Sequence, residues 1–369
     1  MPRELFGVRT LNAFAIVVHG TSAILGTLLI ANYGGDPKVP LYAPLVEFMS
    51  SSQNRGALYV PKPMHIFNCR VFLPAVLFEW LTMAAHVVYL SVEFLSPNNR
   101  VRLFRIASGR KYTAKDGTVT WEVSHAYNPL RFYEYAVTAT IMQVGGMVAL
   151  GITDFYFFVL SIVANVALQV VGYILEIMDR DSLSHQRIAA ILLNMFTLIT
   201  FAQLFALFMQ MFASQTHHLS VFLWNLIPNF ILWQSFGLVA RSNFYKKGPF
   251  EDALFTEKAY MALSIITKLS LFWLQFATYH EIAESLGTVP VVGVNWAAIR
   301  WFSGFGLSGL LVLYGGTEWW IYDREKQSRL REFTSMPSHT VKKAAPLVVT
   351  LEKPVTQRAS VRNNGFVRL

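Results

Sequence analysis

The chain has 369 residues, of which 54% are hydrophobic and only 14% are charged, whereas soluble domains carry about 25% charged residues. Together with a mean hydropathy of +0.40, this composition excludes an ordinary soluble domain. The single cysteine, Cys69, excludes an internal disulfide and a thiolate metal cluster, and we expect no metal site. The net charge of +9 is explained more simply by basic membrane loops and tails than by nucleic-acid binding, which we do not expect.

Eight stretches of about 20 apolar residues are long enough to cross a bilayer as helices. In chain order they are 11–31, 69–94, 129–151, 154–178, 188–213, 218–240, 254–280 and 296–321. The sixth contains Pro228, which a helix bundle tolerates as a kink. The eighth is rich in glycine, so a re-entrant or surface segment is an alternative to a span. The pattern predicts an all-α, multi-pass membrane bundle.

The segments between these stretches also have predicted structure. Segment 32–68 contains five prolines and is expected to form an ordered cap outside. An Asp-Gly pair within 111–121 lies between β-prone runs, which predicts a small hairpin on the cytoplasmic face. The tail from Asp323 has ten basic and four acidic residues, and we expect it to be disordered and to contact anionic lipid.

The distribution of lysine and arginine predicts the orientation, because basic residues accumulate on the cytoplasmic side of membranes. If the N-terminus is inside, only four of the 31 basic residues lie in outside segments: Lys38, Arg55, Lys62 and Arg70. Two more, Lys268 and Arg300, lie within helices, and all the others fall on the inside. We therefore expect a cytoplasmic N-terminus, and a cytoplasmic C-terminus if the eighth helix spans.

Ionisable side chains within membrane spans are costly and mark function by default. Four stand out, namely His19, His86, Glu134 and Lys268. At a rise of 1.5 Å per residue, the first three lie roughly 9–12 Å from the cytoplasmic ends of their predicted helices. Lys268 lies about 20 Å along its helix, and its side chain leans back toward the same end. We therefore expect these groups to form one cytoplasmic polar cluster.

A lysine amine in an apolar site can form a Schiff base with an aldehyde, and the protonated Schiff base needs a counter-charge. Glu134 is the buried carboxylate at a suitable depth. Ser264 precedes Lys268 by one turn and Thr138 follows Glu134 by one turn, so each can hydrogen-bond its neighbour. Two alternatives stay open: a structural ion pair between Lys268 and Glu134, and histidines that only bond neighbouring helices.

Two further carboxylates are predicted to lie apart from this cluster. Glu79 falls in the outer half of the second helix, far from the other ionisable groups. Glu176 falls about one turn from the cytoplasmic end of the fourth helix, where its side chain would extend to the membrane surface.

Two motifs resemble those of the heliorhodopsin family. Ser264-Ile-Ile-Thr-Lys268 is similar to the family's Ser-x-x-x-Lys retinal-binding motif in the seventh helix. Asn128-Pro-Leu-Arg-Phe-Tyr-Glu134-Tyr-Ala-Val-Thr138 is similar to the third-helix run that carries the counterion. His19 and His86 match two histidines that the family places near the Schiff base. The resemblance covers residues 11–281.

This resemblance implies all-trans retinal bound as a protonated Schiff base on Lys268, with Glu134 as its counterion. Ser264 and Thr138 would hydrogen-bond these two groups. Retinal also needs an apolar slot with aromatic walls, for which the candidates are Tyr135, Met142, Phe205, Phe230 and Trp233. The family's inverted orientation, with a cytoplasmic N-terminus, agrees with the charge distribution.

The expected fold is therefore an all-α, seven-transmembrane-helix rhodopsin-like bundle with an extra C-terminal hydrophobic helix, which the family lacks. Residues 1–281 would form the retinal-binding domain, 282–321 the additional hydrophobic segment, and 322–369 the basic cytoplasmic tail.

Most members of the family are regarded as light sensors with slow photocycles, which implies a photoreceptor without enzymatic activity that signals by slow conformational change. Some viral members transport protons, so the alternative is a light-gated proton channel or transporter with Glu79 on the path. A third hypothesis is a retinal-free transporter or membrane enzyme that uses a Lys268–Glu134 ion pair. The expected partners are membrane lipid, a second copy in a homodimer and a cytoplasmic signalling protein.

Overall fold

The computed structural model describes residues 3–32, 36, 38–49, 58–95, 105–113, 119–149, 152–178, 182–213, 219–251, 253–285, 294–313, 315–316, 323–324, 327 and 349–350. Its long helices, in chain order, are α1 Arg3–Asn32, α2 Leu73–Leu95, α3 Pro129–Ala149, α4 Phe155–Ile177, α5 Leu183–Ala213, α6 Leu219–Phe244 and α7 Ala253–Ser285. A 3-10 helix, Gly248–Glu251, joins α6 to α7. The last helix, α8, begins as Trp296–Trp301, passes through a π-helical turn at Phe302–Gly306 and continues to residue 313.

Each of the eight predicted segments contains a helix among its described residues, which confirms the predicted all-α bundle. Among the described residues, six helices are long and apolar enough to cross a membrane by length and composition: α1, α2, α4, α5, α7 and α8. Helix α3 is not in this group because Arg131, Glu134 and several other polar residues lower its mean hydropathy. Those polar residues are the ones that build the candidate site.

Two antiparallel hairpins lie outside the bundle. They are formed by β1 Lys38–Met49 with β2 Leu58–Arg70, and by β3 Arg105–Thr113 with β4 Val119–Tyr127. A short strand, β5 Val349–Thr350, within the predicted tail pairs with β4. The first hairpin is the ordered segment that the sequence predicts at 32–68. The second confirms the predicted hairpin, although its turn at 114–118 lies outside the described residues.

Polar side chains fix the points at which the helices begin. Asp36 accepts hydrogen bonds from the backbone amides of Phe72 and Leu73 at 2.9 and 2.8 Å, so α2 begins at Leu73 rather than at the predicted residue 69. At the start of α3, the Asn128 side chain accepts from the Leu130 amide at 3.1 Å. The following Pro129 has no amide hydrogen that would need a partner.

Helix α7 runs through the centre of the bundle. Within its apolar window, 89% of the residues are buried, compared with 17–44% in the other five candidate spans. In the main core, Phe72, which directly precedes α2, and Phe78 of α2 pack with Phe272 and Phe276 of α7. Many large apolar side chains on α1, α4 and α5 are exposed, as expected for helices that face lipid. A lysine near the middle of α7 is therefore enclosed on all sides.

The extra helix α8 packs closely against α6 and α7 at its π-helical turn. A π-turn disrupts the regular backbone hydrogen bonding of a helix. Here Ser270 Oγ on α7 donates to the Ser303 carbonyl at 2.6 Å. A Cβ atom added at Gly304 would lie 3.3 Å from Cγ of Pro228 on α6, so glycine permits this close approach.

Candidate functional site

Lys268 and Glu134 form an ion pair in the interior of the bundle. The Lys268 ammonium donates to Glu134 Oε1, and the two side chains are only 5% and 9% exposed. Thr138 Oγ1, one turn further along α3, donates to the same carboxylate oxygen at 2.8 Å. The structure thus brings together three residues that the sequence predicts at the site. A buried ion pair is weak evidence for stability, because the cost of desolvation offsets the attraction, so a functional reason is needed.

The ring of Tyr135 lies beside this pair. The Lys268 ammonium is 5.1 Å from the ring centroid, within the range of a cation–π contact. The Tyr135 hydroxyl donates to the Tyr260 carbonyl at 3.3 Å, which ties α3 to α7 and fixes the ring. Ser264 is 2% exposed and lies one turn before Lys268, where both side chains line the same cavity. This is the face that the sequence predicts for Ser264.

A cavity adjoins the ion pair, and Lys268 is one of its lining residues. Ligand sites in proteins are typically concave, mostly apolar and equipped with a few polar groups. Its apolar walls come from α3 to α7 and are formed by Phe132, Tyr135, Ala139, Met142, Leu168, Gly172, Phe196, Trp233, Phe236, Ala240 and Tyr260. Three residues predicted to surround retinal, Tyr135, Met142 and Trp233, are therefore lining residues.

The prediction that Phe205 lines the pocket is wrong. Its side chain is 55% exposed and stacks on Phe201 at 6.4 Å on the outer face of α5. At 3.6 residues per turn, Phe205 is rotated roughly 140° from Thr200, which does line the cavity. Phe196 supplies the aromatic contact from α5 instead. The side chain of Phe230, the remaining candidate, lies outside the described part of the structure.

The donor groups around the cavity fit a retinal-type group. Among the described residues that line the cavity, one carries a primary amine, Lys268, and the walls are mostly apolar and aromatic. Beside that amine a carboxylate, Glu134, can balance a positive charge, and Thr138 holds the carboxylate in place. These are the groups that a long apolar aldehyde requires. Among the described residues, no group of three or more His, Cys, Asp and Glu side chains could hold a metal ion.

A second polar site lies in the seam between α1 and α2. His19 Nδ1 is 2.5 Å from Glu79 Oε2, and neither side chain is exposed. Two turns away on both helices, His86 Nδ1 is 2.8 Å from Asn12 Oδ1. The two imidazole rings are stacked with their centroids 5.9 Å apart. The seam therefore holds four polar side chains in one continuous line.

The pairing of Glu79 with His19 corrects the prediction that Glu79 lies far from the other ionisable groups. Helix α1 begins at Arg3 rather than at the predicted residue 11, so His19 lies about 24 Å along it instead of about 12 Å. That shift moves His19 to the level of Glu79 on the antiparallel α2. The expected proximity of His19 to His86 still holds, because the stacked rings connect the two pairs.

A third polar cluster surrounds Arg131, near the start of α3. Its guanidinium donates to Glu257 on α7 and, at 3.1 Å, to Glu176 at the end of α4. Asn128 donates to Glu257 at 3.0 Å, and Asn243 of α6 donates to Glu176 at 3.0 Å. We call these five residues the Arg131 cluster. It joins the ends of four helices by buried, charge-assisted hydrogen bonds.

The Arg131 cluster corrects the prediction that Glu176 extends to the membrane surface. Glu176 is only 3% exposed, because Arg131 and Asn243 bond its carboxylate inside the bundle. The sequence analysis did not identify Glu257 or Asn243 as site residues. Helices α3 and α7 begin, and α4 and α6 end, on the same predicted side of the membrane. Opposite charges near those four helix ends could therefore have predicted this cluster. The guanidinium also lies 3.9 Å from the Tyr260 ring centroid, next to the cavity.

Comparison with known proteins gives a family match and a match among solved structures. The heliorhodopsin family model matches residues 116–279, a range that includes Glu134 and Lys268 but not His19, Glu79 or His86. Among solved structures, the crystal structure of thermophilic rhodopsin from Rubrobacter xylanophilus is similar at 12% identity and a TM-score of 0.48. That match covers 75% of this chain and 98% of the other. No curated protein matches the chain.

The family match and the apolar helices establish the broad class of the protein. It is an integral, multi-pass membrane protein of the retinal-type, light-responsive class. The matched range begins in the β3–β4 region and ends in α7, so it contains the third-helix run and the lysine motif that first indicated the family. Over residues 116–279, which include the third-helix run and the lysine motif, the chain is thus similar to the heliorhodopsin family.

Proposed function

We propose that the protein is a light sensor in which Lys268 binds all-trans retinal as a protonated Schiff base and Glu134 is the counterion. The observation that supports this most strongly is the buried Lys268–Glu134 pair beside a cavity with aromatic walls. When bound, retinal would supply absorption of visible light and a light-driven change of shape. The other roles in this proposal are those of side chains of the protein itself.

In this proposal Glu134 keeps a positive charge on the Lys268 nitrogen stable inside a medium of low dielectric constant. Attraction between opposite charges is much stronger there than in water. Thr138 orients the carboxylate, and Ser264 offers a hydroxyl on the cavity side of Lys268. Tyr135 contributes the negative face of its ring.

A signal from this pair has a direct physical route to one end of the bundle. Glu134 and Arg131 are three residues apart on α3 and therefore lie on neighbouring positions of one helix face. A change in the charge of Glu134 would alter the field at Arg131, which holds the ends of α3, α4, α6 and α7 together. We propose that slow rearrangement of the Arg131 cluster transmits the light signal to a partner protein.

We further propose that this end faces the cytoplasm, because basic residues accumulate on it. The N-terminus would then be cytoplasmic, as would the C-terminus if α8 spans. The β3–β4 hairpin and the basic tail, 322–369, would be the surfaces available to a signalling partner. Membrane lipid and a second copy of the chain remain proposed partners.

The experiment is a visible absorption spectrum of the full chain expressed with all-trans retinal. The wild type is expected to show a visible band, and Lys268→Ala to lack it. Lys247→Ala, which removes an exposed lysine from the turn after α6, is the matched control and should keep the band. A wild type without a visible band, or an unchanged band in Lys268→Ala, contradicts the proposal.

A second candidate function is light-driven proton movement through the membrane. The α1–α2 seam favours it, because His19, Glu79 and His86 are further buried ionisable groups in contact with one another. Among the described residues, Glu79 Oε1 and His19 Nε2 have no hydrogen-bond partner.

Photocurrents recorded under voltage clamp distinguish the two functions. A transporter or channel should give a current that Glu79→Gln reduces severalfold, since glutamine keeps the hydrogen bond to His19 but cannot exchange a proton. No current at any voltage, in protein detected at the cell surface, would remove this second candidate and leave the sensor. A current that Glu79→Gln does not change would remove only the route through the seam.

A further inference from the structure

The later part of α8 has open space beside its glycines. Near its start, Gly304 is packed tightly, with 3.3 Å between its ideal Cβ position and Cγ of Pro228. Further along, a Cβ added at Gly309, Gly315 or Gly316 would meet no described atom within 4 Å. These three positions on α8 therefore have open space beside them.

A groove lies between α6, α7 and α8 at the end of the bundle at which α7 begins. Its walls are almost entirely apolar and include Val239, Phe255, Ala262, Leu263 and Leu311. Ala259, Ala262 and Gly315 are small, so neither α7 nor α8 fills the space between them. The groove is separate from the cavity beside Lys268.

One charged side chain stands among the described residues that line this groove. It is Lys258, in the second turn of α7, and it is partly exposed. Lys246 and Lys247 lie in the turn that precedes the 3-10 helix, at the same end of the bundle. An apolar groove with one positively charged lining residue is complementary to a molecule that has an apolar chain and an anionic head.

We propose that this groove binds one anionic glycerophospholipid, with an acyl chain between α7 and α8 and the phosphate at Lys258. The site lies at the lipid-facing edge of the bundle, where acyl chains are the surrounding solvent. Basic pockets between helices on the cytoplasmic side recognise anionic head groups in this way. The proposal does not depend on retinal binding or on signalling.

The test is native mass spectrometry of the full chain in detergent with added phosphatidylglycerol or phosphatidylcholine of identical acyl chains. The wild type should retain phosphatidylglycerol about fivefold better, the preference that one lysine near an anionic surface provides. Lys258→Gln should bring retention of phosphatidylglycerol down to that of phosphatidylcholine. Lys258→Arg should keep the preference, because the positive charge remains.

A pair of glycine variants tests the groove itself. Gly315→Leu places a side chain in the groove and should reduce retention of both lipids severalfold. Gly316→Leu, also in open space but not a lining residue, should behave as the wild type. Circular dichroism melting checks that each variant is folded. Undiminished phosphatidylglycerol retention in folded Lys258→Gln, or undiminished retention of both lipids in folded Gly315→Leu, would overturn the proposal.

Discussion

Replacement of Glu134 by glutamine tests the electrostatic role proposed for the ion pair. Glutamine keeps the size of the side chain and can still hydrogen-bond Thr138, but it removes the negative charge next to the Lys268 nitrogen. Loss of one partner of a buried ion pair costs about 3–5 kcal/mol. The side chains are 5% and 9% exposed, so solvent screening is small. At about 1.4 kcal/mol per pH unit, the loss corresponds to roughly two to four pH units.

If Glu134 is the counterion of the proposed Schiff base, its removal should destabilise the protonated, positively charged form of that linkage. The pH midpoint at which the visible band gives way to an ultraviolet band should therefore fall by those two to four units. The assay is a pH titration of the absorption spectrum of the wild type and of Glu134→Gln. Asp154→Asn, which retains a residue able to cap α4, is the control and should keep the wild-type midpoint. A midpoint in Glu134→Gln within half a unit of the wild type would refute the assignment of Glu134 as counterion.

Two other experiments test the packing around the site. Arg131→Gln leaves two buried carboxylates without their cation and should reduce the free energy of unfolding by about 3–5 kcal/mol. The measurement is the thermal midpoint of unfolding in detergent, which should fall. An unchanged midpoint would show that the Arg131 cluster does not hold the helix ends together. Gly304→Leu forces a side chain against Pro228 and should cost about 1–3 kcal/mol, whereas Gly309→Leu, in open space, should lie within about 1 kcal/mol of the wild type. Equal midpoints for the two leucine variants would contradict the close packing of α8 on α6.

The central pair could be predicted from the sequence because a charge inside an apolar run is conspicuous. Lys268 and Glu134 lie on different helices, and only their depth and the family resemblance connected them. Depth is counted from the start of a helix, and for these two residues the starts at Pro129 and Ala253 are close to the predicted ones. The contact between them is present in the structure.

The same method failed where a helix begins earlier than its apolar stretch. Helix α1 extends eight residues beyond the predicted start, through Arg3 and Arg9, so His19 was placed too shallow and its contact with Glu79 was missed. Helix register between α1 and α2 depends on packing, which hydropathy does not report. For the same reason Glu176 was assigned to the surface, although Arg131 from another helix bonds it inside.

Aromatic residues could be assigned to helices but not to helix faces. Tyr135 and Trp233 line the cavity, whereas Phe205 faces outward on a helix that is apolar all round. A helix of that kind shows no periodic difference between its lipid-facing and bundle-facing sides, so the direction of one phenylalanine is not encoded locally.

The most direct test of the account is to locate the covalent attachment of retinal. Borohydride treatment of the pigment under illumination reduces a Schiff base to a stable secondary amine, and peptide mass spectrometry then identifies the modified lysine. The account predicts a retinyl group on Lys268, in the peptide that also contains Ser264. A retinyl group on another lysine, or no adduct in protein that shows a visible band, would contradict it.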